Sequence, residues 1–540
     1  MNFLKWTLTL IYTTFLLTAM ATRNETLNCI TDRDVYVSGD KIMVNAFISN
    51  ESNSKTVYVD LCSFSGNHIT GAKLMVENHR AQGTIQIPDS LRTGTYLLRT
   101  FYNQDHQRKL HIRDLLIANR FEDFSNNFTG QLKKMDSPSI DEEAGIKITV
   151  PDTLNRRGKY ALKLVLKQDL TDQLEGGVSI SVSKYNNSFK SAENYFNGLI
   201  ASNESSVGEN DGLIISGKVI DKISQLPVTD ALVYISTSDS IPGFQYCTTG
   251  RDGAFHFLMK NIYGTLPVVI QATKENEDDQ LKIVLDEKFN FMLPQFPVTT
   301  IEKDNMMAEE LKMSTEVFTF DKIFNDQPPA SRSTAKTSDN TLLFYGEPTY
   351  TIRPDEFYNL PDFSEVSREL LVGVKFRDKN NKRSLNLIDA DVNQYFDEQA
   401  FLLVDGVPVQ DLTLIKDLGS ADISWIHTVL EYRFFGDIHF PGVVSIHTRH
   451  AGLNWLKESD RLIKHDFEGL QQKETITEVK VPGTYPDLRP VLLWEPNCAP
   501  SPSMEIEFKS SDIAGDYFIK VTGKKKNGEM IQSSRIIHIN

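Results

Sequence analysis

Three short stretches carry residue types that could do chemistry. His465-Asp-Phe-Glu468 has the H-x-x-E spacing by which one helical turn offers two ligands to a hydrolytic zinc ion. Such a site also needs a third ligand and a general base. Only 72 residues follow Glu468, with His538 the single further histidine, and the charged surroundings read as a connector. His439, His447 and His450 crowd one short segment and read as surface residues at strand ends. Asp389-Ala-Asp-Val-Asn393 opens like a calcium loop, but Gln394 stands where the tight turn needs Gly and Ala400 where a bidentate Glu belongs. It reads as a polar turn. No G-x-S-x-G elbow, H-E-x-x-H pair, P-loop or dinucleotide glycine set occurs. The expectation is a non-enzymatic chain with no catalytic, cofactor-binding or metal residue.

The four cysteines, Cys29, Cys62, Cys247 and Cys498, are far apart and form no C-x-x-C pair. A zinc ribbon or a dithiol redox site is therefore excluded. Cys29 and Cys62 fall in one small domain, where a disulfide and two buried thiols are both open readings.

The elements around these residues are mostly strands. Apolar and polar residues alternate in runs of five to nine, divided by Gly, Pro, Asn and Asp, and helical periodicity is scarce. The net charge of −15 is spread along the chain. That balance offers no basic face for nucleic acid and no attraction to anionic lipid. Residues 1–21 are laid out as a secretory signal peptide, with Lys5, an apolar run from Trp6 to Leu17 and a small-x-small site at Ala19-Met20-Ala21. The run is short for a bilayer span and lacks a basic flank. Cys29 follows Thr26-Leu27-Asn28, which is no lipidation context. No other segment is apolar for long enough to cross a membrane, so the mature chain is expected to have no transmembrane segment.

Residues 22–118 contain Asp32-Arg-Asp-Val-Tyr36-Val-Ser-Gly39-Asp40 ahead of a strand from Lys41 to Ile48. This resembles the Asp-x-x-x-Tyr-x-x-Gly-Asp/Glu turn of macroglobulin domains in the alpha-2-macroglobulin family and implies a β-sandwich. The reactive thioester of that family needs Cys-Gly-Glu-Gln, and no cysteine here is followed by Gly-Glu-Gln. Residues 119–185, with Tyr160, Leu162, Leu164 and Leu166 on one strand face, read as a second macroglobulin-like β-sandwich. Residues 186–212 are polar and read as a linker.

In residues 213–288, Ile214-Ile-Ser-Gly-Lys-Val-Ile-Asp221, Leu226-Pro-Val-Thr-Asp-Ala-Leu-Val-Tyr-Ile235 and Asp252-Gly-Ala-Phe255 resemble the carboxypeptidase regulatory-like domain. That resemblance implies a folded, non-catalytic sandwich. Residues 289–342 read as an extended linker. Residues 343–453 hold Phe401-Leu-Leu-Val-Asp-Gly-Val-Pro-Val409, then Ala421 to Val429, then Gly442-Val-Val-Ser-Ile-His-Thr448. This order resembles the plug domain of TonB-dependent outer-membrane receptors and implies a small α+β fold. The 91 residues after Arg449 are too few for a barrel of about 22 strands. Residues 454–485 read as a linker and 486–540 as a C-terminal β-sandwich, with Lys524-Lys-Lys-Asn-Gly528 as a solvated basic hairpin tip.

The fold class expected is therefore mainly β: tandem β-sandwich domains plus a small α+β plug-like domain. This series resembles large exported envelope proteins of Gram-negative bacteria. The resemblance implies export to the periplasm or outer-membrane surface. It also implies an accessory or scaffold role toward an outer-membrane protein partner, either a barrel or an assembly or secretion machine, through the plug-like unit and strand edges. Two other readings stand beside it. One is a macroglobulin-like protease-binding protein without a thioester, which needs a cleavable loop and has Asp321 to Thr341 to offer. The other is an extracellular adhesin, which needs a conspicuous exposed aromatic cluster.

Overall fold

The strands of this chain close into sandwiches because single sheets with one apolar face must bury it against another. The computed structural model describes residues 26–104, 107–122, 128–130, 145–189, 191, 194–201, 208–237, 243–275, 278–294, 296, 299–301, 305–325, 343–379, 382–449, 453–472 and 485–540. The signal-like segment 1–21, His450 and most of the Asp321–Thr341 loop lie outside these residues. The fold is mainly β, in several sheets. The chain forms two compact units: residues 1–212, 287–331 and 470–540 make the first, and residues 213–286 and 332–469 the second.

The first unit opens with a nine-stranded sheet running from Leu27–Thr31 to Phe196–Ala201. Its core includes Ile42, Val44, Val59, Leu61, Leu98 and Ile117. The Asp32 to Asp40 turn is held by its own residues. Tyr36 donates its hydroxyl to Asp32 at 2.7 Å, and the Met43 amide donates to the same oxygen at 2.9 Å. Arg33 pairs with Asp40, and Gly39 supplies a φ of 87° that other residues resist. Cys29 and Cys62 are both buried free thiols, which closes the disulfide alternative, and burial pushes Cys62 up to about 12, an unreactive thiol.

Beside that sheet lies one sandwich where the pattern of residues predicts two. Lys159–Leu166 lies between Ile146–Thr149 and Ser503–Lys509 in one sheet. Val178–Lys184 lies between Gly515–Lys524 and Val491–Cys498 in the other. Intervals 119–185 and 486–540 thus interleave in one core, where Leu162, Leu164 and Ile180 meet Tyr517, Ile519 and Val521. Neither interval alone has enough strands to cover its own apolar face. Lys524 also departs from the expected solvated tip: it is buried, donates to the Ile48 carbonyl at 2.6 Å and pairs with Glu175 at 2.7 Å.

The intervals read as linkers carry ordered elements. In 186–212, Phe196–Ala201 joins the nine-stranded sheet, and buried Glu209 accepts from the Tyr58 hydroxyl at 2.6 Å. In 289–342, Phe289 and Phe291 sit among Tyr58, Phe101 and His68, and buried Arg99 donates to the Phe289 carbonyl at 2.8 Å. A helix, Asn305–Asn325, follows, with Met307 and Leu311 packed on Leu116, Ala118 and Phe189.

The second unit contains one sandwich and one α+β layer. Leu213–Asp221 lies between Ala254–Met259 and Leu281–Leu285. The facing sheet runs Phe244–Thr248, Leu232–Thr237, Thr265–Thr273, Leu462–Glu468. The last strand comes from the interval 454–485. A five-stranded sheet follows in the order Tyr350–Ile352, Ile423–Phe435, Ile438–Thr448, Phe401–Val404, Val407–Pro408. The helix Phe363–Leu370, capped by Asp362 accepting from the Glu365 amide, packs with Val374–Lys379 over this sheet.

Candidate docking surface at an overhanging hairpin

The residues nominated for chemistry separate in space. His465 and Glu468 sit on the strand Leu462–Glu468, opposite Val268 and Thr265. Three residues apart on a strand, they project to opposite faces and do not converge on one ion. Asp389 accepts from the Asp391 amide in the turn to Gln394–Tyr395, where Asn393 takes a positive φ of 54°. His439 is exposed on the hairpin and His447 is buried in the sheet, stacked on Trp425 at 3.3 Å between centroids.

His447 belongs to a buried polar chain that includes three residues not singled out in the sequence. The Ser445 hydroxyl lies 3.4 Å from His447 Nε2, and the Tyr345 hydroxyl 3.0 Å from His427 Nδ1. Strand alternation could have aligned Ser445 with His447, but Tyr345 arrives from outside the sheet. Burial lowers His427 to about 4; burial and then repulsion from His427 lower His447 to about 3. Both rings are neutral at ordinary pH. The serine and histidine contact does not make a nucleophile, because Ser445 is fully enclosed and has no substrate access.

Asp405 and Gly406 hold the strand that flanks one side of the hairpin. They take φ values of 48° and 81°, as a two-residue turn demands. The Asp405 carboxylate accepts from the Thr448 amide and the Thr448 hydroxyl, each at 2.8 Å, while the Asp405 amide donates to the Ile446 carbonyl. This clamp sets the parallel register Phe401↔Val443 through Val404↔Ile446. On the other side, Tyr350–Ile352 pairs only with Ile426 to Thr428. The hairpin end, from Glu431 to Gly442, therefore runs past both neighbouring strands.

One face of this overhang is braced. Phe435 lies 5.6 Å from Phe244 and 5.7 Å from Phe344, and Phe440 stacks on Phe401 at 3.9 Å. Arg433 donates to the Tyr345 carbonyl. The turn is held by the Tyr246 hydroxyl, which accepts from the Asp437 amide at 2.7 Å; Gly436, at φ 63°, is needed because a Cβ there would collide with that hydroxyl. The opposite face is open. Phe434 is 77% exposed and Tyr432 40%, with the exposed His439 ring 6.0 Å from each. Phe396, buried and edge-on to Tyr432 at 4.7 Å, supports the foot of this face. Beside the hairpin is a groove of about 300 Å³ lined by residues that include Tyr234, Phe401, Gln410, His439 and Phe440.

No protein-family model matches this chain, and no curated protein matches it. Among solved structures, a variant of Salmonella alpha-2-macroglobulin aligns at 9% identity over 95% of this chain and 39% of that one, with a TM-score of 0.24. The native form of Escherichia coli alpha-2-macroglobulin aligns at 9% identity over 96% and 40%, with a TM-score of 0.23. A tetra-tandem repeat from the extending region of a large adhesion protein aligns at 10% identity over 96% and 99%, with a TM-score of 0.15. The chain spans about two-fifths of the length of the macroglobulins it is compared with.

What the arrangement offers is a rigid aromatic platform with a hydrogen-bonding border. Exposed aromatic side chains lose little conformational freedom on contact and bury large areas, as interface anchors do. Among the described residues no group of three or more His, Cys, Asp or Glu side chains is gathered to hold a metal.

Proposed function

We propose that the protein is a non-enzymatic binding protein of the bacterial cell envelope, exported across the inner membrane. It holds a protein partner on the open face of the Ile423–Thr448 hairpin, and the outer-membrane region is where that partner resides. The observation that carries this reading is the ladder of Tyr432, Phe434 and His439, exposed on one face while the other is pinned by aromatic packing. An unbraced exposed patch would be an aggregation liability; a braced one is built to be covered. The plug-like order of turn and strands supports the outer-membrane assignment, and the exposed aromatic cluster equally meets the requirement of an adhesin.

Retention of envelope proteins by the tagged full-length chain tests the proposal. One protein retained near stoichiometry by the wild type, and reduced at least tenfold by Phe434→Asp with unchanged melting, is the expected result. Equal retention by both forms, or stable capture of a protease through a cleaved loop, overturns it in favour of the inhibitor reading.

A further inference from the structure

The return strand of the hairpin has an uncovered edge. Pairing with Phe401–Val404 begins only at Val443, so among the described residues no strand covers Ile438–Gly442 on that side. Across the hairpin, Tyr432 faces Pro441, Arg433 faces Phe440 and Phe434 faces His439. Proline has no N–H to give and fits an antiparallel pair where the backbone groups point away from the partner strand. Two residues earlier, the N–H and C=O of His439 point the same way, outward along this edge. His439, Phe440 and Pro441 all line the 300 Å³ groove.

The rest of the lining suits a polypeptide. Phe401 and Phe440 form a stacked apolar wall, and Gln399 and Gln410 add exposed amides. The charges present are balanced: Glu398 is acidic, while Arg461 is held by Asp278 at 3.4 Å. A cluster of cations, as a phosphate or polyanion would require, is not among the lining residues.

We infer that this edge takes an extended peptide by strand addition, and that such a segment of the partner is what the docking surface recognises. The inference rests on the docking reading above and adds its mode and ligand class. Ile438–Gly442 at ~3.3 Å per residue gives ~16 Å of edge, enough for about five residues of peptide. Main-chain bonds to His439 set the register, and side chains turned toward Phe401 and Phe440 must be apolar. Pro441 limits the number of donors, which keeps the uncovered edge from pairing with another copy of itself.

The test is an array of synthetic nonapeptides of alternating apolar and neutral polar residues, probed with the full chain. Each peptide is paired with a form N-methylated at alternate residues. Capture of a subset, reduced at least tenfold by N-methylation, is expected. His439→Pro removes the donor and should lower capture at least tenfold with melting unchanged. Gln410→Trp, at an exposed groove position, should block capture without touching the hairpin. No capture by the wild type overturns the inference, as does capture indifferent to N-methylation and to Gln410→Trp. If Phe434→Asp still abolishes envelope retention while the array stays blank, strand addition falls and the docking reading stands.

Discussion

Asp405 joins two places 43 residues apart. The turn it forms with Gly406 was legible in the sequence, because few residue pairs accept two positive φ values in succession. Its bond to Thr448 was not, since nothing local couples a carboxylate to a distant hydroxyl. Asp405 is 3% exposed and its removal leaves the Thr448 amide without its acceptor. Asp405→Ala should therefore destabilise the second unit by about 2 kcal/mol in urea unfolding, with Thr448→Val costing roughly half as much. The buried imidazoles give a pH signature. Unfolded histidine titrates near 6.5, whereas burial holds His427 at about 4 and His447 at about 3. Below 6.5 the unfolded chain binds protons that the folded chain refuses, so stability falls as pH drops from about 6.5 towards 4 and 3. Thermal melts across that window should show the decline, and His447→Gln should lessen it, leaving the His427 share.

At the scale of elements, alternation showed where strands run but not with which strands they pair. The row Tyr160, Leu162, Leu164, Leu166 reads the same whether its cover comes from the next strand or from residues 503–539, since the period of two is unchanged. The same ambiguity hid Leu462–Glu468, whose charged residues suggested a connector, though Phe467 is buried in the sheet. Phe289 and Phe291 carry no periodic signal, because an extended segment anchored by two rings has none. Arg99 and Arg108 lie 4.5 and 4.3 Å from the Phe291 ring centroid. Phe291→Ala should cost the first unit roughly 2 kcal/mol, below the ~3–5 of a fully buried phenylalanine, with extra hydrogen exchange centred on residues 287–294. The hairpin overhang was the element least visible in advance. Its length depends on where two neighbouring strands stop, and neither limit is written in the hairpin's own sequence: the Asp405 clamp holds the register of one neighbour, and the pairing of Tyr350–Ile352 sets the other.

At the scale of the molecule, each unit draws on separated intervals of chain, so domain limits placed along the sequence cut through shared cores. Composition nonetheless excluded much. The net charge of −15 is spread along the chain. Within the second unit, the open ladder of Tyr432, Phe434 and His439 is the surface on which the proposed docking rests. The measurement that tests this most directly is hydrogen–deuterium exchange of the full chain, alone and with the partner retained from envelope extracts. The account predicts new protection concentrated on residues 431–442, absent with Phe434→Asp. Protection confined to the first unit, with the hairpin unchanged, would contradict it.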